Sequence, residues 1–141
     1  VRIVPDATGL VRVFGAGPNH YADTAFWLEV DRGTERGRAL LDKLARYYRH
    51  AHRSWPYDRN MLRLLIVVEH NDEPRLAYLR RRLQQLNQHY RMTLDVRLTR
   101  ADLLAARGGL DPTRPKWRTL DDDSFVPAFN QPPQPGDDPP C

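Results

Sequence analysis

Cysteine, lysine and long apolar runs are what this 141-residue chain has least of. Its one cysteine is Cys141, so no internal disulfide can form and a cysteine-stapled scaffold is excluded. That usage points to a cytoplasmic setting. No stretch approaches the roughly 18 apolar residues of a membrane span, and the longest, Leu64 to Val68, has the length of a strand. The opening Val1 to Asp6 lacks a Met, a charged leader and a long apolar core, so it is no signal peptide and reads as a strand entered midway in a longer protein. No Gly-x-Ser-x-Gly elbow or phosphate-binding loop occurs, and nucleophilic catalysis has no support.

Arginine is what takes lysine's place. Of 22 basic residues, only Lys43 and Lys116 are lysine. The net charge of +4 conceals a division: Val1 to Leu120 holds all 22 bases against 13 acids, a balance of +9, while Asp121 to Cys141 holds five Asp and no base. A GC-rich genome alone produces such an arginine bias. The planar guanidinium also suits phosphate, which it contacts through paired donors. A basic body makes nucleic acid the leading partner class, with an ordinary solvated surface as the alternative.

The apolar patterning predicts an α/β fold. Val1 to Val4 and Leu10 to Phe14 read as a hairpin across the turn-type segment Pro5 to Gly9, and Thr24 to Asp31 as a third strand. In that strand Trp27, Glu29 and Asp31 share one face and Phe26, Leu28 and Val30 the other. Thr34 is the expected cap of a helix running to about Ser54, with Leu40, Leu41, Leu44, Tyr47, Tyr48 and Ala51 as its buried stripe. Leu62 to Glu69 is nearly continuous in apolar residues, the pattern of a strand covered on both faces. Asn71 or Asp72 caps the next helix, with Pro74 in its first turn and a stripe of Leu76, Leu79, Leu83, Leu86 and Tyr90. Met92 to Leu98 forms a last strand, and a short helix follows to Arg107, closed by Gly108 and Gly109. Residues 1–109 thus form one domain, with a mixed central sheet flanked by helices. Residues 110–141 carry eight of the twelve prolines and read as a partly ordered arm fading into a disordered tail.

Asp6 beside the first turn, Glu29 and Asp31 at the end of the third strand, and Lys43 in the following helix form the candidate chemistry. Carboxylates gathered at strand ends suit a hard divalent cation such as Mg²⁺ or Mn²⁺, which takes oxygen ligands and keeps several waters. An ammonium beside them can orient a water and face charge developing on a phosphate. Lys43 falls at the edge of the apolar stripe, on one ridge with Arg36 and Tyr47, from which its stem can follow the core flank to the strand ends. Each residue also has a plainer reading: Asp6 as a turn former with Gly9, Glu29 and Asp31 as strand surface, Lys43 as a solvated lysine.

Pro5-Asp6, the run Phe26-Trp27-Leu28-Glu29-Val30-Asp31-Arg32-Gly33-Thr34-Glu35, and Lys43 with Tyr47 resemble the replication-relaxation family of bacterial plasmids and mobile elements. That family looks like a branch of the PD-(D/E)xK, restriction-endonuclease-like superfamily. The resemblance covers roughly Val1 to Leu98 and is sharpest from Leu28 to Glu35. It implies that Asp6 and Glu29 are metal ligands, with Asp31 standing where the superfamily has its lysine and Lys43 supplying that lysine from the adjacent helix. Asp31 then either adds a third carboxylate to the metal site or marks a site that binds without cutting. It implies DNA as substrate, a role in plasmid replication or transfer, and a winged-helix DNA-binding region preceding the nuclease-like segment. A homodimer is compatible with it.

For the DNA surface the candidates are Arg32, Arg36, Tyr47, Arg49, Arg53 and the triplet Arg80-Arg81-Arg82, flanked by Arg75, with Trp55, Tyr57 and Arg59 nearby for stacking and phosphate contact. His50 and His52 lie two apart, on different sides of a helix, which argues against a zinc pair. The expected activity is metal-dependent phosphodiester hydrolysis. The alternatives are a nuclease-fold DNA-binding or assembly module without catalysis and, third, a protein-interaction domain.

Overall fold

A computed structural model describes residues 4–53, 62–91, 94–106, 111, 114–129 and 131–132. In chain order the elements are β1 (Ala7–Phe14), β2 (Tyr21–Asp31), α1 (Gly37–Arg53), β3 (Leu62–Val68), α2 (Glu73–Tyr90), β4 (Asp95–Arg100), α3 (Ala101–Ala105), β5 (Trp117–Arg118) and β6 (Phe125–Val126). Six strands form one mixed sheet in the order β1-β2-β3-β4-β5-β6. β1 runs antiparallel to β2; β2, β3 and β4 are parallel; β5 and β6 return antiparallel. The expected α/β class with a mixed sheet is what the chain adopts.

The apolar run predicted to be covered on both faces is β3, buried at every position from Leu62 to Val68. Its side chains divide between two cores. Leu62, Leu64, Ile66 and Val68 join Trp27 and the apolar stripes of α1 and α2 in the larger core, whereas Leu65 and Val67 join Phe26, Leu28, Trp117 and Phe129 in the smaller. Both long helices therefore cover one face of the sheet. Crossovers of one hand that advance a sheet in one direction land on the same side. The other face is covered by α3 through Ala101 and Leu104 and by the segment from Trp117 to Phe129.

Local signals explain the helix ends. Asp72 caps α2, its side chain accepting from the Arg75 N–H at 2.9 Å, with Pro74 in the first turn where no donor is missed. Arg91 closes the helix in the left-handed conformation, at φ 49°. α1 starts later than Thr34 would place it. Asp31 Oδ1 accepts from Gly33 N at 3.3 Å, Gly33 takes φ 72°, and the chain stays irregular until Gly37 at φ 59°.

Two further expectations are corrected. Ala7 to Gly9, read as turn, are the start of β1: Asp6 N donates to the Leu28 carbonyl at 2.9 Å, and the ladder continues from Ala7 opposite Leu28 to Phe14 opposite Tyr21. Gly9 serves close approach there, since a Cβ would stand 3.0 Å from the Phe26 ring. Of the expected first strand, residues 1–3 lie outside the described residues and Val4 is in no strand. The segment after residue 110 adds two strands the patterning did not announce, because two residues each are too few to show alternation. Arg63 donates to the Ala128 carbonyl at 2.8 Å, Arg97 to that of Pro127, and Thr99 to that of Lys116 at 2.7 Å. Gly108, Gly109 and the tail beyond residue 132 lie outside the described residues.

Candidate functional site

The alternation of β2 sends Trp27 and Glu29 into the larger core, and Glu29 is only 5% exposed. A carboxylate buried that deeply needs partners. α1 supplies two of them from positions one turn apart. The Tyr47 hydroxyl donates to Glu29 Oε2 at 2.6 Å, and the Lys43 ammonium forms an ion pair with Glu29 Oε1. Lys43 Nζ also stands 3.5 Å from Glu35 Oε1 in the β2–α1 loop. The Tyr47 ring rests on Trp27 at 5.5 Å between centroids, and His50 meets the same indole edge-on at 5.6 Å.

The electrostatics follow. Burial lowers the pKa of the Lys43 ammonium, but the hydrogen bond and charge of Glu29, with Glu35 adding, outweigh it and hold Lys43 above the usual lysine value. Burial first, then the hydrogen bond and charge of Glu29, push the Tyr47 phenol far above its ordinary range, with smaller contributions from Asp6 and Glu35. Tyr47 is therefore a permanent donor and Lys43 a permanent cation at neutral pH.

Asp6 reaches the same strand from its edge: Oδ2 accepts from the Val30 N–H at 2.7 Å, one residue beyond Glu29. Asp31 is committed elsewhere. Arg75 grips it with two bonds, Nε to Oδ2 at 2.8 Å and Nη2 to Oδ1 at 2.9 Å, and also donates to the Glu35 carbonyl at 2.6 Å. Both side chains of that pair are 9% exposed. The structure thus gathers Glu29, Lys43 and Tyr47, with Asp6 one residue along the strand and Glu35 beside Lys43, and turns Asp31 to α2.

Among the described residues no three His, Cys, Asp or Glu side chains gather as a metal-holding group. Asp6 and Glu29 remain a two-carboxylate donor set. Each keeps acceptor capacity beyond the bonds described, since a carboxylate offers about four lone-pair sites. Mg²⁺ commonly binds through one or two carboxylates, completed by water and substrate phosphate, and Asp6 and Glu29 are the residues of that chemistry at this strand.

The basic candidates separate by use. Arg32, Arg36, Arg49 and Arg81 are exposed. Arg36 lines a cleft of about 390 Å³ with Asp72, Pro74, Arg75 and Tyr78, beside the Asp31–Arg75 pair. Arg82 bonds Gln85 at 3.1 Å and lies over the Tyr78 ring at 5.1 Å; that hydrogen-bonding guanidinium, with Arg75 assisting, holds the phenol below its usual pKa. Arg80 faces the opposite way, donating to the Thr119 carbonyl at 2.9 Å and pairing with Asp123. Successive helical positions turn by about 100°, so a triplet cannot present one face. Arg53 ends α1 and its side chain lies outside the described residues, as do Trp55, Tyr57 and Arg59. Sequence reading gave no role to Glu35 and did not pair Arg75 with Asp31. Glu35 precedes the helix, so no helical spacing ties it to Lys43, and the Arg75 contact crosses 44 residues.

No family model, no curated protein and no solved structure matches the chain. No described helix is long and apolar enough to cross a membrane.

Proposed function

We propose that the chain is a nuclease-like domain that acts on DNA and hydrolyses phosphodiester bonds with Mg²⁺ or Mn²⁺, in a cytoplasmic plasmid or mobile-element replication or transfer process. The observation that carries this reading is the arrival of the Lys43 ammonium from α1 on the buried Glu29 carboxylate, with Asp6 fixed to the next backbone N–H of the same strand. The resemblance of Pro5-Asp6, Leu28 to Glu35, Lys43 and Tyr47 to the replication-relaxation family and its restriction-endonuclease-like fold supports it. So do the exposed arginines Arg32, Arg36 and Arg49, suited to backbone phosphates.

In this reading Asp6 and Glu29 hold the metal, which when bound supplies Lewis acidity toward a phosphate oxygen. Lys43 does not act as a base, because Glu29 and Glu35 keep it protonated. It faces the charge that grows on the phosphate as water attacks, and orients that water through its donors. Tyr47, bonded to Glu29, is a positioning residue that fixes which carboxylate oxygen stays available. Sequence preference would come from a winged-helix region or partner, and a homodimer is an assembly consistent with the reading.

Incubating the purified chain with double-stranded, single-stranded and branched DNA and each metal tests it. Cutting should vanish in Lys43→Ala and Glu29→Ala variants whose circular dichroism matches the parent. Absence of cutting on every substrate with either ion removes the hydrolytic claim. A second reading, a DNA-binding or assembly module without catalysis, draws on Asp31, which stands at the usual lysine position and is occupied by Arg75. It expects salt-sensitive DNA binding that persists in chelator and is indifferent to Lys43→Ala.

A further inference from the structure

The cleft of about 390 Å³ beside the Asp31–Arg75 pair holds donors that no described residue uses. Arg36, exposed in the β2–α1 loop, makes no hydrogen bond or ion pair among the described residues. Arg75 is already aimed. Its Nε and Nη2 meet the two oxygens of Asp31 at 2.8 and 2.9 Å, and Nη2 also meets the Glu35 carbonyl at 2.6 Å, which engages three of its five N–H donors. The two on Nη1 have no acceptor among the described residues. That nitrogen lies on the far side of the guanidinium from the Nε–Nη2 fork that grips Asp31. It is open to solvent, since among the described residues the one buried side-chain polar atom without a partner is Arg97 Nε.

Tyr78 completes the set. Arg82 donates to its phenol oxygen and the Gly37 N–H also approaches it, so the lone pairs are occupied and the hydroxyl hydrogen is left to donate. We propose that this cleft binds a phosphomonoester, its three terminal oxygens meeting the Arg36 guanidinium, Nη1 of Arg75 and the Tyr78 hydroxyl. A monoester brings three strong acceptor oxygens, one for each of these donors, where the internal diester of a strand has two. The charges agree. Arg36, Arg75 and Arg82 against Asp31 and Asp72 leave one net positive charge at the cleft. Asp72, the one acid lining it, gives Oδ1 to the Arg75 N–H of its own helix at 2.9 Å. The volume lies within the roughly 300–1,000 Å³ of small-ligand sites.

The cleft lies beyond the carboxyl ends of the parallel strands β2 and β3, where open α/β sheets take their ligands. Glu35 separates it from the Glu29 cluster: its carboxylate stands 3.5 Å from Lys43 Nζ, while its carbonyl holds Arg75. Glu29, Lys43 and Tyr47 are not among the residues lining the cleft, so the proposal does not rest on the hydrolytic reading. The same phosphate can arrive on a free nucleotide or on the phosphorylated end of a strand.

Calorimetric titration of the full chain, in chelator, with thymidine 5′-monophosphate, thymidine, acetate, and tetrathymidylate with and without a 5′-phosphate tests it. The two phosphorylated ligands should bind saturably at one site, with thymidine, acetate and the unphosphorylated strand about tenfold weaker or worse. Arg36→Met and Tyr78→Phe should each weaken the phosphorylated ligands about fivefold or more with unchanged circular dichroism. Arg114→Met removes the same charge from an exposed arginine outside the cleft and should change affinity less than about twofold. A phosphorylated strand that outcompetes the mononucleotide identifies a strand end as the ligand, and the reverse order a free nucleotide. No saturable binding of either phosphorylated ligand below about 5 mM, equal binding of the strand without its phosphate, or full affinity in both Arg36→Met and Tyr78→Phe overturns the assignment. With metal withheld, the outcome is independent of whether the chain cuts DNA.

Discussion

Replacing Tyr47 by Phe removes one oxygen from the molecule and leaves the ring on Trp27, so it isolates the bond to Glu29. Tyr47 is 1% exposed and its acceptor 5%, so water cannot substitute for the lost donor. A hydrogen bond to a charged acceptor contributes about 1.5–3 kcal/mol, and because Lys43 still neutralises Glu29 the expected loss is about 2 kcal/mol. For a chain of this size that lowers the melting midpoint by about 5–10 °C. Tyr48→Phe is the internal control. Among the described residues its hydroxyl bonds neutral acceptors, Asn87 Oδ1 at 2.5 Å and the Leu83 carbonyl at 3.2 Å, so its loss costs about 1 kcal/mol. pH adds an independent readout. The Tyr47 phenol is raised in the folded state, so the unfolded chain ionises first; the stabilisation is complete below about pH 10 and is lost as pH rises beyond it. Lys43 and Tyr48 are raised too and act in the same direction. Above pH 10 the parent should lose stability more steeply than Tyr47→Phe, by about 1.4 kcal/mol per pH unit. Guanidinium titrations read by the fluorescence of Trp27 and its fellow tryptophans between pH 7 and about 11 measure both effects. If Tyr47→Phe unfolds with the parent, or costs less than Tyr48→Phe, the account of Glu29 as a buried, ionised and tethered carboxylate is wrong.

Arg75→Met leaves Asp31 buried without its partner and should cost about 3 kcal/mol by chemical denaturation, whereas the double variant with Asp31→Leu should regain some of that loss. Asp72→Ala should destabilise α2 by about 1 kcal/mol and Asp72→Ser restore most of it, measured by thermal melting. Arg80→Ala frees Thr119 and Asp123, so limited proteolysis should cut faster between residues 119 and 124; if DNA affinity falls instead and the cutting rate holds, Arg80 serves nucleic acid and not the C-terminal segment.

The sequence-readable features were those with a short-range cause. A run from Leu62 to Val68 with one charge can only be a strand covered on both faces, and the Asp72 cap with Pro74 fixes a helix start by local bonds. The period of β2 assigned Trp27 and Glu29 to one face, and the period of α1 put Lys43 and Tyr47 on one ridge. What sequence alone did not disclose depends on which distant partner wins. Asp31 shares a face with Glu29, yet Arg75 on α2 claims it, and no local rule connects the two. The triplet Arg80 to Arg82 looked like one basic patch until the C-terminal segment took Arg80. Asp6 with Gly9 has turn chemistry, but the hydrogen bonds of β2 outweigh a local turn.

The order of the strands in the sheet is also their order along the chain. A strand emerging during synthesis therefore always finds its neighbour already made, and no late strand has to wedge between earlier ones. Growth can proceed one edge at a time, each crossover helix sealing the strand pair beneath it before the next strand arrives. On such a path the C-terminal segment docks last, onto a sheet whose carbonyl-seeking arginines, Arg63 and Arg97, are already in place. Kinetically, a substitution in that segment should speed unfolding far more than it slows folding.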